Sequence, residues 1–150
     1  MKVQGIAGLL GLAGTTLGPT DWHGVPQDQV NTFADATGDH QWIHVDPERA
    51  AAGPFGGTIA HGYLTLALII PLWTSLLEIE NLGMGVNYGL NKVRFPAPVP
   101  VGGKIRLTAH IAAADALDEK SAQLTVDFTM ELAGSEKPAV AAQALYRYYA

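Results

Sequence analysis

The chain has 150 residues, 48% hydrophobic and 15% charged, with a formal net charge of -5. That is enough apolar material for one core, and the length favours a single domain over residues 1–150. Lys and Arg total 9 and form no cluster, so the basic footprint that nucleic acid requires is missing. The absence of cysteine rules out a disulfide, a thiolate nucleophile and a zinc–cysteine site, and makes the cytoplasm the expected compartment.

The charged fraction lies below the roughly 25% usual for soluble domains, which implies that part of the surface is covered by something other than water, as in a homo-oligomer. The opening MKVQGIAGLLGLAGTTLG has the outline of a secretory signal, but its basic region is short and its cleavage site poor. Its glycines at 5, 8, 11 and 14 weaken a helix while giving it a smooth face. Pro26 opens a helix through QDQVNTFADAT, with Val30, Phe33 and Ala34 on one face, and Gly38 stops it. Residues 39–58 have no clean period and carry Pro47, Gly53, Pro54, Gly56 and Gly57. They read as a long irregular segment with one turn at 47–52, and loops of that length usually have a function.

TIAHGYLTLALIIPLWTSLLEIE follows, apolar on nearly every side, as a helix enclosed by other elements would be. Residues 50–77 hold no Asp, Glu, Lys or Arg and are long enough to span a bilayer. Pro54, the Gly-Gly pair, His61, Pro71 and the missing flanking positive charge indicate a buried core helix instead, without membrane insertion. Pro71 should kink it or end its first half. Beyond it, Ile105, Leu107, Ala109 and Ile111, and then Leu124, Val126, Phe128, Met130 and Leu132, alternate with polar residues as half-buried strands do. Residues 86–95 and 140–149 add two more. Short linkers make the sheet antiparallel, and the best arrangement is an α+β fold in which the sheet curls around the one buried helix.

Asp39 and His44 stand five apart, a spacing that on a helix places them about 140° apart and on a strand puts them on opposite faces. Only an irregular segment lets them share a substrate. A carboxylate beside an imidazole can hold a water, take its proton and return a proton to an adjacent carbon, work worth about 10²- to 10⁴-fold; the alternative is a turn-capping Asp and an ordinary loop His. The helix start at Ile59-Ala60-His61-Gly62 offers backbone N–H groups without intrahelical partners, which suit a carbonyl oxygen that gains negative charge. Gly62 allows close approach, or else simply lets a strand pack on the helix. Lys92 and Arg94, two apart on a strand, either point together at an anionic ligand such as a nucleotide phosphate or form a solvated face. Asp39, His44 and His61 are also the residue types of a two-histidine, one-carboxylate iron site. No G-x-S-x-G elbow, P-loop or G-x-G-x-x-G loop is present. Tyr63, Leu64, Leu68, Trp73 and Leu76 are candidates to line an apolar pocket.

FADATGDHQWIHVDPERA, followed by GPFGGTIAHGYLTLALI and NYGLNKVRFPAPVPVG, closely resembles the MaoC-like dehydratases, the (R)-specific enoyl-CoA hydratases of the hot-dog superfamily. The likeness runs from about Asp21 onward. Of the family signature Gly-Asp-x-Asn-Pro-x-His, Gly38, Asp39 and His44 match, while Gln41 and Trp42 replace Asn and Pro; Gln41 still offers an amide. The resemblance implies a hot-dog fold, a sheet around one long central helix, paired in a homodimer. It implies syn addition of water to a trans-2-enoyl-CoA, or the reverse, without metal or other cofactor. Asp39 and His44 would activate water and handle the α-carbon proton, and the Gly62 N–H would polarise the thioester carbonyl. Gln41, His61, Lys92 and Arg94 are further candidates for contact with the acyl-CoA. A hot-dog acyl-CoA thioesterase and a non-catalytic acyl-CoA-binding subunit are the alternatives.

Overall fold

The glycine-rich start folds as a short strand β1 (Lys2–Gln4) and one short helix α1 (Gly5–Leu10), which buries Leu9; the computed structural model describes every residue from Met1 to Ala150. Gly14, at φ +81, turns the chain into β2 (Thr16–Leu17), and β3 (His23–Gly24) follows. Pro26 precedes α2 (Gln27–Thr37) in the extended conformation. Gly38 closes that helix at φ 80, a left-handed angle that glycine adopts without a steric cost, and its N–H meets the Ala34 carbonyl at 2.8 Å. The segment expected to be irregular contains two short helices, α3 (Trp42–Val45) and α4 (Pro47–Ala51). Asp46 caps α4 by accepting the Arg49 N–H at 3.0 Å, and Pro47 supplies its first turn.

The enclosed helix begins only at Gly62 and is interrupted at Leu68, giving α5 (Gly62–Ala67) and α6 (Ile69–Leu76) rather than one long rod. Pro71 is the cause: it has no N–H for the Ala67 carbonyl, and its ring crowds that carbonyl. Bonds from Leu68 N–H to Leu64 O (2.9 Å) and from Leu72 N–H to Leu68 O (3.4 Å) still carry the ladder across the break. Leu64, Leu68, Ile69, Leu72 and Trp73 face the core, but Tyr63, Ala67, Pro71 and Thr74 form an exposed stripe, so a single copy does not enclose the helix completely.

β4 (Glu78–Glu80) pairs in parallel with β1, and Lys2 bridges Glu78 (3.2 Å) and Glu80 (2.6 Å). The remaining strands, β5 (Met84–Arg94), β6 (Lys104–Asp118), β7 (Ser121–Leu132) and β8 (Val140–Tyr149), form an antiparallel sheet in the order β2-β6-β7-β8-β5, with β3 also on β6. Alternate residues of β6, β7 and β8 are buried, as their period of two requires. They meet α6 at Trp73, whose ring lies edge-on to Phe128 at 5.5 Å and stacks with Tyr146 at 6.2 Å, while its N–H reaches the Tyr148 hydroxyl at 3.1 Å. Each large side chain so buried stabilises the fold by about 1.5–3 kcal/mol. Burial also raises the ionisation of both tyrosine phenols above the ordinary range. β5 departs from this pattern. It is the edge strand, irregular in register between Asn87 and Gly89 and between Leu90 and Lys92, and Met84, Val86, Tyr88 and Leu90 stay exposed.

Candidate active site

Gly38 ends α2 so that the chain turns at once into Asp39, whose side chain is 49% exposed. Asp39 is lightly held: its N–H and its carboxylate each make one long contact of 3.4 Å, to Thr37 Oγ1 and the Gln41 N–H. His44, carried by α3, is only 6% exposed, and its Nδ1 lies 2.7 Å from the Ile59 carbonyl. A carbonyl only accepts, so Nδ1 carries the hydrogen and Nε2 presents a bare lone pair. The backbone of α3 is fixed from two sides. Ile59 N–H meets the Ile43 carbonyl at 2.9 Å, and the Gln27 amide donates to the His44 carbonyl at 2.7 Å while accepting the Thr58 hydroxyl at 2.6 Å.

His61 occupies the position before α5, and its ring stacks on that of His44 with centroids 3.8 Å apart and planes 24° apart. Its Nε2 donates to the Asp39 carbonyl at 2.9 Å and lies 3.9 Å from the Asp39 carboxylate. One side-chain donor atom from each of Asp39, His44 and His61 falls within 4.8 Å of the others. The irregular segment therefore does bring together an acid and an imidazole that neither helix nor strand would. The trio is a poor match for an iron site: rings stacked at 3.8 Å and 24° do not share a plane in which both could aim a lone pair at one ion, and one nitrogen of each ring is committed to a carbonyl.

Gly62 is the first residue of α5, so its N–H has no acceptor within the helix. A Cβ there would come 3.1 Å from the Phe95 ring. Both line a cleft of about 320 Å³ that His44 and Thr65 also reach. Gln41 is exposed and joins the site through its backbone, its N–H toward Asp39 and its carbonyl taking the His44 N–H at 3.0 Å. Lys92 and Arg94 are not in this cleft; they border a separate hollow with Asp127, Thr129 and Gln143. Of the candidates for an apolar pocket, Tyr63 lines a cavity of about 280 Å³ with Leu66, Ile70, Leu90 and Tyr146, whereas Leu64, Leu68 and Trp73 belong to the core. Gln27 and Thr58 escaped sequence reasoning. Their separation of 31 residues leaves no local pattern, and the only signal was a polar pair flanking apolar elements.

Residues 11–131 match the family model described as a MaoC like domain. The chain belongs to the MaoC-like dehydratase family. This MaoC-like protein is 52% identical over 147 residues to 3-hydroxyacyl-thioester dehydratase Z of Mycobacterium tuberculosis, an alignment covering 98% of this chain and 97% of that one. It is similar in structure to the monoamine oxidase regulatory protein of Archaeoglobus fulgius, with a TM-score of 0.79 at 23% identity over 99% of this chain and 96% of the other. The R-hydratase PhaJ1 of Pseudomonas aeruginosa gives a TM-score of 0.71 at 22% identity over 95% and 83%. The MaoC-like chain has the hot-dog fold, as the α+β reading of its sequence anticipated. None of its helices is long and apolar enough to cross a membrane.

Proposed function

We propose that this dehydratase-family enzyme is an (R)-specific enoyl-CoA hydratase, acting in reverse as a 3-hydroxyacyl-CoA dehydratase. The observation that carries the reading is that the Asp39 carboxylate and a ring nitrogen of His44 lie within 4.8 Å, with His44 and Gly62 lining one cleft. The near full-length similarity to a 3-hydroxyacyl-thioester dehydratase supports it. Water sits between carboxylate and imidazole. His44 Nε2 takes its proton while Asp39, an acceptor when ionised, aims the oxygen at the β-carbon and stabilises the imidazolium. As the C–O bond forms, the β-carbon loses its double bond and charge moves onto the thioester oxygen, where the Gly62 N–H meets it. His44 then returns the proton to the α-carbon. Both additions come from one side of the substrate, so the product is syn and the pair ends as it began. No cofactor enters this scheme.

The reading includes a second copy of the chain. An edge strand with Met84, Val86, Tyr88 and Leu90 exposed, beside a helix stripe with Tyr63 73% exposed, is a surface that chains cover by pairing; a homodimer through β5 would cover it. Lys92 and Arg94, bordering an open hollow and free of salt bridges, would meet the coenzyme A phosphates, and Gln41 the polar thioester arm. The single domain works in the cytoplasm, where a chain with no disulfide loses nothing. The test is hydration of a short trans-2-enoyl-CoA, followed by loss of the conjugated thioester absorbance, with chiral analysis of the product. (R)-3-Hydroxyacyl-CoA supports the proposal. Release of free coenzyme A without hydration, or formation of the (S) product, rejects it.

A further inference from the structure

His61 is more deeply buried than either member of the pair, at 2% exposure, and its Nδ1 has no hydrogen-bond partner. Leaving a buried acceptor unpaired costs stability, and a leucine would fill the same space beside Phe33, whose ring is 4.8 Å away, without that cost. What only this imidazole supplies is on its other side. Its Nε2–H bond to the Asp39 carbonyl, at 2.9 Å, is the one short hydrogen bond that Asp39 makes, the other two being 3.4 Å. The His44 ring stacks on the same imidazole, with centroids 3.8 Å apart. His44 has independent supports from Ile59 and Gln27; Asp39 has none of comparable length.

We infer that His61 is a positioning residue, which fixes Asp39 through its backbone carbonyl, without itself touching the substrate. This rests on the hydratase reading for its kinetic effect but not for its geometry. Donor and ring can be separated by substitution. His61→Phe keeps a flat ring and loses the donor; His61→Gln keeps an amide N–H at similar reach and loses the ring; His61→Leu loses both.

The expected result is a fall in kcat of about tenfold or more for His61→Phe and His61→Leu with KM within about threefold, and recovery of most of that loss in His61→Gln, as expected when a misplaced group rather than substrate affinity is at fault. Equal kcat in His61→Phe and the parent enzyme overturns the inference, as does a loss in His61→Gln as large as in His61→Leu. An activity-independent arm keeps it separate from the hydratase reading. Nitrogen-15 spectra of the parent protein at alkaline pH should show His61 as the Nε2–H tautomer and His44 as the Nδ1–H tautomer. A His61 found as the Nδ1–H tautomer overturns the inference whether or not the protein hydrates enoyl-CoA.

Discussion

Strands β6 to β8 and the segment from Gly38 to Gly62 are held in different ways. Within the sheet, Phe128 touches Trp73 and Tyr146 and sits in a cluster of 29 buried residues, so its position is determined many times over. In the segment, each functional group depends on one or two polar bonds: Asp39 on His61, His44 on Ile59 and Gln27. The fold's stability and its chemistry therefore reside in separate places, and each should be open to damage without the other.

The sharpest division comes from the pair itself. Asp39→Asn and His44→Ala should each lower hydration of a short enoyl-CoA by about 10²- to 10⁴-fold, while thermal unfolding stays close to that of the parent. Unfolded variants would break the comparison. The opposite case is Phe128→Ala, 2% exposed, which should cost about 3–5 kcal/mol in denaturant unfolding and leave kcat unchanged in the fraction that remains folded. Gln27→Leu tests the boundary. It removes bonds to the His44 carbonyl and to Thr58 together, so a stability loss of about 1–3 kcal/mol should accompany a roughly tenfold fall in turnover. A loss in one quantity alone would show that Gln27 belongs wholly to one region.

The smallest effect concerns the outer face of the sheet. Arg106 donates twice to Glu131, at 2.6 and 3.1 Å, and holds its carboxyl below the ordinary value. A carboxyl whose ionisation is depressed by folding contributes stability above its unfolded value of 4.5, and that contribution is lost as pH falls through the folded value. With Glu131 41% exposed, solvent screening keeps the pair's contribution small. Glu131→Gln should flatten the acid limb of the stability curve by that small amount and leave turnover unchanged, which unfolding at several pH values would measure.

What was legible in the sequence follows the same division. Alternation in β6 and β7 located the long strands because burial on one face leaves a period of two. Pro26 and Gly38 bounded α2 because their backbone preferences are local, and Pro71 announced the break in the enclosed helix. The site was legible only as two residue types in a stretch without a period. Its supports, Gln27 with Thr58 and His61 with Asp39, join residues 31 and 22 apart. No local preference encodes such a bond. The parallel pairing of β1 with β4 escaped for the same reason, and α3 and α4 are too short for periodicity to register.

β5 is attached to the sheet only through β8, with Met84 opposite Tyr149 and Arg94 opposite Ala141. The wall beside Tyr63 and Ile70 therefore depends on a pairing between residues 47 (Arg94 to Ala141) to 65 (Met84 to Tyr149) apart in the chain. The entropic cost of forming that cavity is set by closing this long loop rather than by any preference of β5 itself.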